Sequence, residues 1–506
     1  MSGTGRHRAL PLPIALPKNL PFALARRTAD GRVHLQPATN RPSSPSASGT
    51  PNATSRHFQG HQAEDGCRKG VLDTEPADGM TFLALSHRRE HDGDRGGNRG
   101  KRFMSASKAV RASLVIPMLA FASAHADVVT DWNQKASEIT VAHQSGPWGQ
   151  APMVLIQVAV FESVNAITQR YPQAGYLKLE APGGASIDAA VAAVNRAVLT
   201  RMATTQAAAI EAAYQNALVA VSEGPAKADG IALGEKAVAG ILALRASTGA
   251  PPVFYRPVTS PGNYVPTVVP ANGDLPSARC WVLDRVDQFR PGPPPDLKSA
   301  IWARDYNEVK SLGARAGSQR NAEQTEIARF WAATTPTIYY PIVRSVANQP
   351  GRNVTQNARL LAVSAQAMVD AIDAVFDAKY QYHFWRPFTA IRNGDQDSND
   401  ATERDAGWLP FVDTPMHPEY PCAHCTIAAS LGAVLKAEIG GGATPRLSTT
   451  SPTLPGVTRS WASVDAFTQE VINARIYDGV HYRNSGEVGN ALGTKVGEVA
   501  AAKLLR

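Results

Sequence analysis

Only four cysteines occur in 506 residues, and three of them, Cys280, Cys422 and Cys425, lie beyond residue 126. Three is too few for a disulfide framework and leaves at least one unpaired. A zinc site is not expected either, because histidines and cysteines are spread without paired-ligand spacing beyond a single CxxC. Past residue 126 no run approaches the ~20 apolar residues that span a bilayer, so membrane insertion is not expected. No segment reads convincingly as a sheet, and no repeat of fixed period recurs.

Charge of one sign is also scarce where it counts. The whole chain carries +8, but the excess is local. Residues 1–103 hold 16 lysines and arginines against 9 acidic residues. They are rich in Pro, Gly, Ser and Arg, lack apolar periodicity, and read as a disordered basic prefix. At Met104 the character changes. Lys108 and Arg111 form a short positive region, Ala112–Phe121 is mostly apolar, and Ala124-His125-Ala126 is a small-x-small cleavage site. That is the layout of a secretory signal peptide over 104–126. Translation is therefore expected to start at Met104, with 1–103 the product of a mis-called start, and the mature protein is expected to be periplasmic or secreted. From Asp127 onward 33 basic residues face 34 acidic ones, a charge of −1. Nucleic acid and anionic membrane surfaces are thus not expected partners. Nothing in the sequence fixes the oligomeric state.

What the chain does have is helical patterning. Apolar stripes and alanine-rich segments predict helices at Ala151–Ile167, Ala189–Ala203, Thr205–Val221 and Ala226–Ser247, in an N-terminal helical half (127–248). Residues 249–297 are dense in proline and read as an ordered irregular connection. Helices resume at Leu297–Leu312, Ala322–Ala333, Asn357–Lys379, Thr426–Ile439, Val464–Gly479 and Ser485–Leu505, in a C-terminal half (298–506). The expected fold class is all-α, two packed helical bundles.

Three short motifs in the C-terminal half carry chemistry. Lys379 and Arg386 are seven residues apart, two helical turns, so a continuing helix places both on one face, with Pro387 ending or kinking it. Two cations on one face repel unless an anion lies between them. The pair is either a solvated surface or half of an oxyanion site, and Tyr380, Tyr382, Phe384 and Trp385 favour burial. Pro421-Cys422-Ala423-His424 precedes an apolar helix, where free amides and the positive dipole end bind oxyanions. His424 there is either a packing residue or an acid–base group. Arg475 and His481 are six residues apart with Gly479 between them, and a helix ending at that glycine lets both reach one pocket. Arg475 would then grip an oxyanion and His481 would bond its central atom.

The pattern Lys-x6-Arg-Pro, Pro-x-x-His, Arg-x5-His resembles the vanadium-dependent haloperoxidases, whose fold and site are shared by the acid phosphatases of the type 2 phosphatidic acid phosphatase superfamily. The likeness is strongest over Lys379–Pro387, His417–His424 and Arg475–Arg483. It extends more weakly to Asp131-Trp132-Asn133 and Phe161–Ala166, which look like the N-terminal half of secreted bacterial members. The resemblance implies that Lys379, Arg386 and Arg475 hold the oxygens of vanadate, or of phosphate in a phosphatase. It makes His481 the vanadium ligand, or the residue phosphorylated, and His424 the acid–base residue. The Ala423 amide adds an oxyanion contact. Hydrogen peroxide and halide, or a phosphoester, become the expected small-molecule partners, with Lys379 polarising the peroxide. His417 stands where the family carries Phe for chloride oxidation and His for bromide, so bromide or iodide is expected to be favoured.

Two positions depart from the family pattern. Cys422-Ala423 replaces Ser-Gly, so the oxyanion contact expected of Cys422 comes from a thiol, a weaker donor than a hydroxyl. Ser485 replaces the Asp that orients the ligating histidine in many members. Three other readings remain open at this level: a soluble acid phosphatase working through a phosphohistidine at His481, a non-catalytic oxyanion binder, and a Cys422-x-x-Cys425 redox protein.

Overall fold

The computed structural model describes residues 127–143, 149–172, 175–246 and 255–505. The basic prefix, the signal-peptide segment and the first residues of the proline-rich connection lie outside the described residues.

Among the described residues the helices are α1 Val128–His143, α2 Gln150–Thr168, α3 Ile187–Met202, α4 Ala207–Val219, α5 Pro225–Leu244, α6 Ala300–Leu312, α7 Ala322–Phe330, α8 Pro336–Ala347, α9 Val354–Tyr382, α10 Pro387–Arg392, α11 Ala423–Ile439, α12 Val464–Tyr477 and α13 Arg483–Leu504. Their starts follow local chemistry. Asn353 and Gln356 close a reciprocal capping box at α9, Asn321 and Gln324 do so at α7, and Ser463 caps α12. α9 is 29 residues long and buried on almost every side, its alanines letting neighbours approach and several of its polar side chains buried with it. It packs on α2 on one flank and on α11 and α13 on the other. α2 is long and apolar enough to cross a membrane; here it lies mostly buried against α3, α5 and α9.

The pairing of α11 with α13 sets the geometry of the site, because the motif Pro421–His424 starts α11 and His481 leads into α13. A Cβ on Gly493 would stand 2.0 Å from the Thr426 carbonyl oxygen, and one on Gly497 2.2 Å from that of Ser430. Only a missing side chain permits backbones this close.

The proline-rich segment is fixed on α9 by polar anchors. Buried Asp370 accepts the backbone N–H groups of Trp281, Val282 and Leu283 at 2.7–2.9 Å. Arg290 grips Asp377 with two hydrogen bonds of 2.6 and 2.7 Å. The phenols of Tyr380 and Tyr382 donate to the Ala271 and Pro291 carbonyls.

Four sequence expectations are corrected. A two-stranded antiparallel hairpin, β1 Leu447–Ser451 with β2 Leu454–Trp461, occupies a stretch that does not read as strand. Pro452 and Pro455 mask the signal, and the buried ends Leu447 and Trp461 anchor the hairpin to the helical core. α1 lies within the span 127–248 read as helical, but no individual helix is expected there before Ala151. α8 was hidden by Pro336 and Pro341; it forms because Ile338, Tyr339, Tyr340, Ile342 and Val343 are buried, which outweighs the roughly 3 kcal/mol of an internal proline. Finally, α9 does not run on to Arg386. It stops at Tyr382, where His383 turns left-handed at φ +50°, so Lys379 and Arg386 do not share a helix face.

Gly493→Ala is expected to lower the unfolding free energy by about 3 kcal/mol through backbone overpacking. Gly441→Ala, a position with nothing within 4 Å, should change it by less than about 0.5 kcal/mol. Equal urea midpoints for the two variants would show that the α11–α13 contact is not limiting.

Candidate functional site

The three motifs converge although they reach the site from different elements. Lys379 projects from the last turn of α9. After the left-handed turn at His383 the chain re-enters a helix with Arg386 as the N-cap of α10. Arg475 lies in the last turn of α12, which ends before Gly479 (φ +79°), and His481 follows in the link to α13. His424 occupies the first turn of α11.

The segment His417–Glu419 is the hub. Its three consecutive carbonyls receive the cations: Arg386 Nε donates to His417 O at 2.9 Å, and Lys379 Nζ to Pro418 O at 3.0 Å and Glu419 O at 2.7 Å. Arg386 also donates to Val480 O at 2.9 Å. Arg475 donates to Trp331 O at 2.9 Å and forms an ion pair with Asp478. Lys379, Arg386 and Arg475 are 0, 1 and 2% exposed, so three positive groups are withdrawn from water together.

Two carboxylates share their space, and sequence reasoning missed both. Glu419 accepts His481 Nδ1–H at 2.6 Å and the Tyr482 N–H at 3.2 Å. This bond fixes the imidazole's tautomer. With the proton on Nδ1, the Nε2 lone pair faces Arg386 Nη1 at 3.2 Å, and since guanidinium only donates, Nε2 is the acceptor. Glu419 thus supplies the carboxylate lost at Ser485, whose hydroxyl stands 3.5 Å from Nδ1. The signal was an acidic residue inside an otherwise apolar and proline-rich motif, HPEYPCAH. Asp478 was legible as the residue one helical turn beyond Arg475.

Burial dominates the electrostatics. It pushes Glu419 up to about 7 although Lys379 and Arg386 pull it down. It pushes Asp478 up to about 7 against Arg475 and Arg320. It lowers Lys379 well below its ordinary value, with Arg386 and Arg475 adding to the effect, and brings Arg386 down to about 10. His424 and His481 fall well below 6.5 through burial and the three neighbouring cations, and His417 does so through burial, Arg386 and Lys379. Burial and the neighbouring cations thus favour the neutral form of all three imidazoles. His417 accepts Arg386 Nη2–H on Nδ1 at 2.9 Å and packs edge-on to Phe376.

The cluster keeps several buried polar atoms that the chain leaves unpaired. Arg475 Nε, His424 Nε2 and Glu419 Oε2 are buried without hydrogen-bond partners, and neither Asp478 oxygen accepts a well-directed hydrogen bond. The Ala423 amide, at the start of α11, has no acceptor among the described residues. Three cations and free donors around one imidazole lone pair fit a tetrahedral oxyanion with several oxygens and a central atom that can be bonded, so the residues present fit vanadate or phosphate. Cys422 differs from expectation. It is disulfide-bonded to Cys425 and its sulfur accepts the Cys425 N–H at 3.3 Å. In this form it has no S–H to offer an oxyanion, and the contact falls to backbone amides.

Residues 359–506 match the family described as VCPO second helical-bundle domain. A 170-residue stretch is 28% identical to the vanadium chloroperoxidase of Curvularia inaequalis, covering 27% of this chain and 28% of that protein. In three dimensions the chain is similar to a bacterial vanadium-dependent iodoperoxidase, with a TM-score of 0.62 and 22% identity over 74% of this chain and 96% of the other. It is also similar to a bacterial vanadium-dependent chloroperoxidase, with a TM-score of 0.59 and 14% identity over 72% and 96% of the two chains. These structural likenesses establish the all-α fold.

Glu419→Gln removes the charge but keeps the volume. Orthovanadate affinity, which needs the Nε2 lone pair, is expected to fall on the order of 10- to 100-fold. Sulfate affinity, which needs only positive charge, should hold or rise. Calorimetric titration separates the two, and parallel losses would contradict the tautomer argument. For Asp478 the folded pKa lies above the unfolded value, so the folded state binds more protons between about pH 4 and 7. The stability of wild type relative to Asp478→Asn should therefore fall as pH rises through that window and level off above it, as read from urea midpoints at pH 4.5, 6 and 8.

Proposed function

We propose that the protein oxidises halide with hydrogen peroxide at a vanadate held by Lys379, Arg386, Arg475 and His481, a reading supported by the match of residues 359–506 to the VCPO second helical-bundle domain. The observation that carries this reading is the buried excess of cationic donors gathered around the His481 Nε2 lone pair. When bound, vanadate supplies a Lewis-acid centre that activates peroxide towards halide without changing oxidation state.

The chain's own residues do the rest. Lys379, Arg386 and Arg475 are already fixed by backbone carbonyls, so they stabilise developing negative charge with little reorganisation. His481 offers Nε2 because Glu419 holds the proton on Nδ1. His424 is neutral, with Nε2 free in the pocket, and can take a proton from peroxide and return it to a leaving oxygen. The Ala423 N–H and the positive end of α11 add a further donor. His417, held on Arg386, places a polar ring beside the cluster, in keeping with bromide or iodide over chloride. Secretion or export to the periplasm completes the reading, supported by the pattern of residues 104–126 and by a disulfide at Cys422–Cys425.

One feature supports a second reading. A carboxylate-oriented imidazole with a free Nε2 is also a nucleophile towards a phosphoryl group, so Glu419–His481 suits a soluble acid phosphatase acting through a phosphohistidine on phosphoesters.

With orthovanadate, peroxide and bromide, the purified protein should brominate monochlorodimedone, and His481→Ala or omission of vanadate should abolish the reaction. His417→Phe is expected to shift the halide ratio towards chloride. No bromination, with p-nitrophenyl phosphate hydrolysed and vanadate inhibiting, would replace the peroxidase with the phosphatase.

A further inference from the structure

A cavity of about 650 Å³ opens directly onto Arg386, the residue whose guanidinium touches His481 Nε2. It is the size of a site for a small organic ligand. Its walls are electrostatically one-sided. Arg315, Arg392 and Arg404 stand around it with Arg386 at the inner end, against a single carboxylate, Asp413. Two of the outer arginines have partners. Arg315 donates to Asp413 at 2.9 Å, and Arg404 lies 3.7 Å from Asp395. Arg392 forms no ion pair among the described residues. Its guanidinium lies 5.2 Å from the Phe388 ring centroid, one helical turn away on α10. The cavity also presents apolar surface that the fold leaves uncovered, since Leu409 is 40% and Met416 53% exposed. Phe388 and Met416 are suited to an aromatic ring.

We infer that this cavity binds an aromatic carboxylate, its ring against Phe388, Leu409 and Met416 and its acid group on Arg392, as the organic substrate of the reactive centre. The inference rests on the reading of Arg386 and His481 as that centre. α10 links the two ends: Arg386 caps its start, Phe388 lies in its first turn and Arg392 ends it, so the acid-binding arginine and one wall of the ring site are fixed relative to the reactive centre. A positive cavity also concentrates anions generally, halide included. The distinctive claim is therefore a preference for acid over amide that depends on Arg392.

The test compares 4-hydroxybenzoate with its neutral isostere 4-hydroxybenzamide by calorimetric titration of the full chain, with saturating orthophosphate occupying the Lys379–Arg386–Arg475 cluster. The acid should bind at least tenfold more tightly, and Arg392→Gln should erase that preference while leaving orthophosphate affinity unchanged, which also shows that the variant is folded. Equal affinities for acid and amide, a preference that survives Arg392→Gln, or binding of neither overturns the inference. This measurement needs no turnover, so a protein that binds the acid but oxidises no halide would refute the proposed function and leave the cavity assignment standing. Where bromide oxidation is observed, Arg392→Gln should raise the KM for the acid at least tenfold and leave that for bromide unchanged. An equal rise for both would assign the arginines to halide and also overturn the inference.

Discussion

Three buried cations around one imidazole lone pair are the constraint on which the C-terminal half of this protein depends. Withdrawing an ion from water costs several kcal/mol even after relaxation, and like charges placed together add to that. Lys379, Arg386 and Arg475 are all withdrawn, and their neighbours only partly compensate. Glu419 and Asp478 are themselves pushed up to about 7 by burial, so their negative charge is held at a cost of its own. Lys379 responds by losing basicity. The arrangement is at its most favourable with an oxyanion among the cations. In that sense the ligand completes the electrostatics that the polypeptide begins.

The surrounding structure holds this unfavourable cluster in place by spending backbone carbonyls on it. His417, Pro418 and Glu419 each turn a carbonyl towards Lys379 or Arg386, and Val480 and Trp331 do the same for Arg386 and Arg475. The donors are thereby aimed without being neutralised. Close contact of α11 with α13 brings Ala423 and His424 near His481, and the length of α9 carries Lys379 to the same point while its flank anchors the proline-rich segment. A carboxylate is still needed to set the tautomer of His481. Ser485 brings no charge to Nδ1, and Glu419, from a different segment of the chain, places a carboxylate on that same nitrogen.

The helices were legible because alanine and apolar periodicity speak for themselves, and the five charged or imidazole groups were legible from type and order. Their geometry was less so. A uniform helix from Lys379 to Arg386 was the simplest reading, but the backbone at His383 turns left-handed, which a histidine does not announce. The hairpin at Leu447–Trp461 and helix α8 were hidden by prolines that local preference treats as breaks, whereas buried aromatic and aliphatic surface decides both. Glu419 was overlooked because orientation of a histidine depends on a contact 62 residues away in the chain. Whether Cys422 is a thiol or half of a disulfide depends on the approach of two sulfurs across one helical turn, and the CxxC spacing allowed both.

The most direct measurement is a crystal structure of the protein with orthovanadate. The account requires density for the anion bonded to His481 Nε2 and contacted by Lys379, Arg386 and Arg475, with the Arg386–His481 contact opened to admit it and the Glu419–Nδ1 hydrogen bond kept. Vanadate bound elsewhere, or a cluster that stays closed with Arg386 on Nε2 at saturating anion, would contradict it.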